Sequence, residues 1–151
     1  MYIINISLVI SFILSGHCYS QELTLPVNGA VKYYTGKEAV APLQIITKSS
    51  NRHYYVKLVD SVNDTTIMSI FIRANHKVMV DVPLGSYLIK YATGTKWYGE
   101  EKLFGPSTDY YKADRIFDFK LVDNQYSGYT IELFLQERGN LKTKEISRSE
   151  F

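Results

Sequence analysis

The sequence predicts an all-β fold, an antiparallel β-sandwich of seven or eight strands. From Pro42 onward, short runs of alternating apolar and polar residues are separated by turn signals, the spacing of a sandwich or barrel. No segment sustains the apolar period of an amphipathic helix, so no crossover helices separate the strands and neighbours are expected to pair antiparallel. The chain of 151 residues also contains 13 Tyr, whose rigid, half-polar ring suits a half-buried pleated surface.

Residues 1–20 read as a targeting segment. The run 3–14 is apolar except for Asn5, Ser7 and Ser11, shorter than the roughly 20 residues that span hydrocarbon as a helix. Ser15 and Gly16 follow, then Cys18-Tyr19-Ser20, and a polar chain opens at Gln21, the order of a secretory signal cleaved after Ser20. The segment before the apolar run lacks Lys and Arg, which leaves an uncleaved N-terminal anchor as the alternative. Cys18 is the only cysteine. His17 precedes it, where a lipid-anchor signal has a small residue. Cleavage would leave a domain without disulfide or thiol chemistry in an oxidising compartment. No other long apolar run exists, so no membrane span is expected after cleavage, and the predicted location is periplasmic or secreted.

Residues 21–41, with Pro26, Gly29, Gly36 and only short apolar runs, read as an extended leader able to add one edge strand. Residues 42–151 form the sandwich domain. Its first strand is 43–47. The second, 53–59, places Tyr54, Val56 and Leu58 on one face and Tyr55 and Lys57 on the other. Residues 60–64 make a loop of side chains that bond their own backbone, and a β-branched strand returns over 65–72. After a turn at 73–76, Val78, Val80 and Val82 alternate with Met79 and Asp81. Pro83-Leu84-Gly85 supplies a tight hairpin turn, and Tyr87, Ile89 and Tyr91 share the next face, with Leu88 and Lys90 opposite. In 116–122, Phe117, Phe119 and Leu121 point inward and Asp118 and Lys120 outward. Tyr129, Ile131, Leu133 and Leu135 form a further face. A turn at Arg138-Gly139-Asn140 leads to a last run over 141–146.

Charge excludes one class of function. Lys and Arg number 17 against 15 Asp and Glu, a net charge of +2. The basic residues are scattered rather than striped, so no nucleic-acid partner is expected.

The segment Val80-Asp81-Val82-Pro83-Leu84-Gly85-Ser86-Tyr87-Leu88-Ile89-Lys90-Tyr91 resembles the turn-and-strand signature of prealbumin-like and carboxypeptidase-regulatory-like sandwiches, with Leu84 inserted between the Pro and Gly. Tyr54-Tyr55-Val56-Lys57-Leu58, Ser69-Ile70-Phe71-Ile72-Arg73, Trp97-Tyr98-Gly99, Leu103-Phe104-Gly105 and the stretch from Gly139-Asn140-Leu141 to Glu150-Phe151 together resemble a recurrent family of small exported bacterial proteins of uncharacterised activity. The resemblance covers about 26–151. It implies an immunoglobulin-like or prealbumin-like sandwich and an exported location, and carries no chemistry.

The residues themselves argue against an enzyme. His53 and His76, the histidines of the mature chain, begin a strand and sit in a turn, and neither has a nucleophile elbow beside it. Two separated histidines do not make a zinc site, and the aspartates and asparagines at 60–64 lack the calcium-loop pattern, so no metal or cofactor is expected. Glu100 and Glu101 are adjacent and so point apart in an extended loop, unlike a glycosidase pair. Asp109 and Asp114 would have to complete such a site. A hydrolase built on His76 or on Glu100 and Glu101 is the least favoured reading.

The loop 93–112 is the candidate binding surface. It holds the single Trp and exceeds the usual connection of a compact domain. Trp97, Tyr98, Phe104, Tyr110 and Tyr111 lie among glycines, with Lys96, Glu100 and Lys102 as a polar rim. Aromatics of this kind suit protein contacts and stacking on sugars. The expected function is therefore a non-enzymatic binding or accessory module for an envelope protein, with a glycan as the alternative ligand. For Trp97 and Phe104 the competing reading is a plug at the open end of the sandwich.

Overall fold

The computed structural model describes residues 20–48, 51–134 and 142–151. The targeting segment before Ser20, Leu135, the turn 138–140 and Leu141 lie outside the described residues. Among the described residues the strands are β1 (Ala30–Tyr33), β2 (Ala39–Thr47), β3 (His53–Asp60), β4 (Thr66–Ile72), β5 (Lys77–Pro83), β6 (Gly85–Gly94), β7 (Asp109–Ala113), β8 (Phe117–Phe119), β9 (Leu121–Val122), β10 (Gln125–Tyr126), β11 (Tyr129–Leu133) and β12 (Thr143–Glu145). No helix among them is long and apolar enough to cross a membrane.

The fold is all-β and sandwich-like. A large sheet runs β1-β4-β3-β6-β7-β12, with β8 beside β6, and a small sheet runs β11-β2-β5; β9 and β10 form a separate hairpin. The alternation read from the sequence decides how the two sheets meet. Tyr54, Val56 and Leu58 of β3, Ile70 and Ile72 of β4, and Tyr87, Ile89 and Tyr91 of β6 leave one face of the large sheet, here the inner face. They bury against Leu43 and Ile45 of β2, Val78 and Val82 of β5, and Ile131 and Leu133 of β11. Each large apolar side chain removed from water contributes about 1.5–3 kcal/mol, so this core sets the register. A one-residue slip would turn the inner set outward.

Several expectations change. Every ladder is antiparallel except β11 on β2, which is parallel from Tyr129 opposite Leu43 to Leu133 opposite Thr47. A parallel pair needs a long crossover, and here β3, β4, β6, β7 and β8 of the large sheet, together with β5, lie between the two strands in sequence. Pro83-Leu84-Gly85 is not a hairpin turn, because β5 pairs with β2 and β6 pairs with β3, β7 and β8. It is a corner that carries the chain from the small sheet to the large one. Leu121 is 52% exposed rather than inward, because the chain leaves the large sheet after Phe119 to pair β9 with β10.

The leader 21–41 belongs to the fold. β1 pairs with β4, and Ala39 and Val40 open β2. Arg73 fastens the segment before β1: its Nε and Nη2 donate to the carbonyls of Pro26 and Leu25 at 3.0 and 3.3 Å, and its N–H donates to Asn28 Oδ1 at 2.9 Å. The Tyr33 hydroxyl donates to the Asp81 carbonyl at 2.8 Å and ties β1 to the edge of β5.

Candidate functional site

The outer face of the large sheet is covered too, and the stretch predicted as a loop supplies the cover. β6 continues to Gly94 and β7 begins at Asp109, so the connection proper is 95–108. It folds back over Tyr55, Phe71 and Ala92, which project from β3, β4 and β6 opposite to the main core. There Trp97, Leu103 and Phe104 bury to 5%, 5% and 3% exposure and make a second core. The Trp97 ring meets Phe71 edge-on at 5.0 Å and Phe104 edge-on at 5.4 Å, and lies 5.7 Å from the Tyr55 ring. Edge-on pairs match the quadrupoles of the rings, and an aromatic of this size buries about 150–250 Å².

Local chemistry folds the connection that way. A Cβ on Gly94 would stand 2.2 Å from the Phe104 Cβ, so only glycine lets the returning chain lie against the strand. Tyr98 N–H donates to the Leu103 carbonyl at 2.8 Å, and Leu103 N–H to the Gly99 carbonyl at 2.6 Å, closing a compact turn. Leu103 takes φ 50° within it, a left-handed conformation costing about 1–2 kcal/mol, offset by burial of its side chain. The Thr108 hydroxyl accepts from Phe104 N–H at 3.1 Å and donates to the Gly105 carbonyl at 2.6 Å. The leader completes the cover: Leu23 N–H donates to the Trp97 carbonyl at 2.8 Å.

Where the turn meets the leader, an open concavity of about 570 Å³ forms, lined by Leu23, Tyr98, Gly99, Glu100, Glu101 and Lys102 together with Ser20 and Gln21. The half-buried Tyr98 ring lies on Gly105, whose φ of 72° suits glycine and whose Cβ would come within 2.9 Å of the ring. Leu23 is 49% exposed, so a leucine and a tyrosine give the hollow an apolar floor. Its rim is charged. Glu100 pairs with Lys32 at 3.1 Å, the contact that leads in raising the Lys32 pKa. Lys102 Nζ donates to Ser20 Oγ at 3.0 Å, and the Arg148 guanidinium donates to the Glu101 carbonyl at 3.0 Å.

Of the residues proposed from sequence, the structure brings together Tyr98, Glu100 and Lys102. Lys96 stands nearby, paired with Glu22 at 3.2 Å, a hydrogen bond that raises its pKa. Burial takes Trp97 and Phe104 off the surface; the plug describes where they lie, although they cover a sheet face rather than an open end. Tyr110 and Tyr111 cannot act together, because they are successive strand residues. Tyr110 lies on the outer face, its ring 5.2 Å from that of Phe151, and Tyr111 lies on the inner face, stacked on Tyr91 at 5.1 Å. Sequence reasoning missed Leu23, Ser20 and Gln21. The only signal for them was the apolar alternation of Leu23, Leu25 and Val27 at the start of the leader.

The two histidines weighed for catalysis bond to the backbone of the turn after β4. His53 Nδ1 accepts from the Ala74 N–H at 3.0 Å, and His76 Nδ1 lies 2.7 Å from the Ala74 carbonyl. The Asp109 carboxylate is held by the Arg52 guanidinium. Among the described residues no three His, Cys, Asp or Glu side chains are grouped to hold a metal ion. Comparison with protein-family models, curated proteins and solved structures finds no match to this chain.

Proposed function

We propose that this protein is an exported, non-enzymatic binding module that recognises an envelope protein partner. The contact surface is the concavity of Leu23, Tyr98, Glu100, Glu101 and Lys102, within the aromatic stretch 93–112 and the leader beside it. One observation carries the reading: an exposed leucine and a half-buried tyrosine share an open hollow rimmed by charges of both signs, and all of these residues lie after the expected cleavage point at Ser20. An apolar floor with a mixed polar rim is the anatomy of a protein contact. Export rests on the order of the first 20 residues, and an immunoglobulin-like or prealbumin-like type for the sandwich rests on the resemblance around residues 80–91.

The test is site-specific photo-crosslinking in envelope extract. A crosslinker at residue 98 is expected to capture a discrete partner. Lys102→Glu is expected to abolish capture without altering the thermal midpoint. A crosslinker at Met79, 69% exposed on the small sheet, serves as the control. Equal adducts from 98 and 79 would sink the reading. A glycan is the second ligand class, since a tyrosine face beside two carboxylates also suits a sugar ring. Saturable binding of an envelope glycan, lost in Tyr98→Ala, with no protein adduct at 98, would favour it.

A further inference from the structure

The outer face carries a second pattern, which adjoins the concavity where Lys32 pairs with Glu100 and Arg148 bonds the Glu101 carbonyl. One register row, followed from β1 to β12, reads Lys32, Ser69, Lys57, Lys90, Lys112, Lys144. Each residue stands directly opposite the next, so all six side chains leave the same face. With about 4.8 Å between strands, the five lysines are spread over about 24 Å. Like charges directly opposite one another destabilise a sheet, and a net charge of +2 gives no general reason for such a row. Acceptors must lie along it.

At its centre they come from residues 147–151 and one turn. Lys90, with a side chain 6% exposed, donates to the Asp64 carboxylate at 2.8 Å and to the Glu150 main-chain carbonyl at 2.6 Å. Lys57 donates to the Phe151 carbonyl oxygen at 3.1 Å, and its ammonium sits 4.0 Å from the centroid of the Phe151 ring. That ring packs on Tyr110. The Glu150 carboxylate accepts from the Ser147 N–H and hydroxyl at 2.9 and 2.8 Å. Those two bonds, and after them the charges of Lys112 and Lys144, hold its pKa below the usual carboxylate value. Two successive main-chain oxygens on lysines and a ring under an ammonium are the features of a bound peptide rather than of a core.

We propose that the lysine row is a docking site for acidic–aromatic peptide segments of a partner protein, and that residues 147–151 occupy it in cis. The ligand class follows from what the site already holds: main-chain oxygens on Lys90 and Lys57 and an aromatic ring on Lys57, in a row of five lysines whose charge favours an acidic segment. A sulfated or phosphorylated chain fits less well, because Lys90 already holds the Asp64 carboxylate and Lys57 meets a main-chain oxygen and a ring face. Lys90 is also too enclosed to receive a bulky anion. A tethered segment competes at an effective concentration of about millimolar order, so the partner peptide binds best where the cis contact is weakened.

The test uses the full chain and a fluorescein-labelled synthetic peptide of the sequence 146–151, read by anisotropy. Wild type is expected to bind weakly. Phe151→Ala, which removes the cis ring and keeps the lysines, is expected to bind about tenfold more tightly as cis competition falls. Adding Lys57→Met to Phe151→Ala is expected to cancel that gain. Lys112→Glu added to Phe151→Ala provides the same reading from a half-buried position, in case the first double variant folds poorly. A peptide with Gln and Ala in place of its Glu and Phe is expected to show no binding. Unchanged affinity in Phe151→Ala, or a gain that survives both lysine substitutions, would overturn the proposal. So would a sulfated oligosaccharide that binds wild type and Phe151→Ala alike where the peptide does not.

Discussion

Tyr54 is fully buried between the sheets with its ring 5.8 Å from that of Tyr91, and among the described residues its hydroxyl has no hydrogen-bond partner. Burial above all, then the neighbouring Tyr91, pushes its pKa up to about 12. A buried hydroxyl left unpaired costs about 1–3 kcal/mol. Tyr54→Phe keeps the ring and deletes that cost, so urea denaturation is expected to show a gain of about 1 kcal/mol; a loss would mean that the hydroxyl is satisfied in solution. His53 gives the opposite kind of dependence. Its Nδ1 must stay unprotonated to accept the Ala74 N–H, and burial, then the Arg73 charge, then His76, hold its pKa below the ordinary 6.5. In the window between the folded and unfolded pKa values the unfolded chain binds more protons, so stability rises with pH there. The His53 contribution is complete above about 6.5 and is lost as pH falls through the lower, folded value. Thermal midpoints measured across this window are expected to slope downward with acid, and His53→Gln is expected to flatten the slope. An unchanged slope in that variant would assign the effect to other groups.

Among the elements, the corner from β4 to β5 hangs on the last residue of β2. Thr47 Oγ1 accepts from the His76 N–H at 3.1 Å and lies 2.8 and 3.0 Å from the Arg73 and His76 carbonyls, while the Thr47 N–H donates to the His76 carbonyl at 2.8 Å. Thr47→Val preserves the shape and removes the hydroxyl, leaving those corner groups short of a partner in a part-buried place. The expected cost is about 1–3 kcal/mol, read as a lower denaturation midpoint, with faster amide exchange at His76 as the local signature. This corner shows the limit of reading elements from sequence. Tyr54-Val56-Leu58 and Tyr87-Ile89-Tyr91 were legible because a strand with one face buried writes that face at every second residue. The same period of two does not say which strand comes next to which, so Pro83-Leu84-Gly85 read as a hairpin although it changes sheets. Nor does it say whether something lies over the polar face. Tyr55 and Lys57 alternate correctly with the core residues, yet both are covered, one by Trp97 and the other by Phe151. The turn-rich stretch after Gly94 had the same ambiguity, since glycines and aromatics serve a buried cover and an exposed surface equally well. Tyr98, Glu100 and Lys102 were recoverable from it; Leu23, from a distant stretch, was not.

At the scale of the whole molecule, one sheet separates two cores. The inner one packs Ile89 and its neighbours against the small sheet; the outer one packs Phe71 against Trp97 and Phe104. Side chains on opposite faces of β3, β4 and β6 share backbone but no side-chain contact, whereas those within the outer core touch directly, Phe71 to Trp97 at 5.0 Å between ring centroids. Energies of sites without shared partners add, and those of packed neighbours do not. Two double-mutant cycles distinguish the cases. Trp97→Phe with Ile89→Val crosses the sheet, and its free energies are expected to sum within about 0.5 kcal/mol. Trp97→Phe with Phe71→Leu stays within the outer core and is expected to show an interaction of about 0.5–3 kcal/mol. Both cycles are measured by urea denaturation with far-UV circular dichroism as the probe, because Trp97, the only tryptophan, is itself altered. Strong coupling across the sheet would mean that the backbone of β6 transmits strain between the faces. In that case a ligand pressing on the outer cover would be felt in the main core; with additive cycles, the concavity and the lysine row can be occupied without loosening the sandwich beneath them.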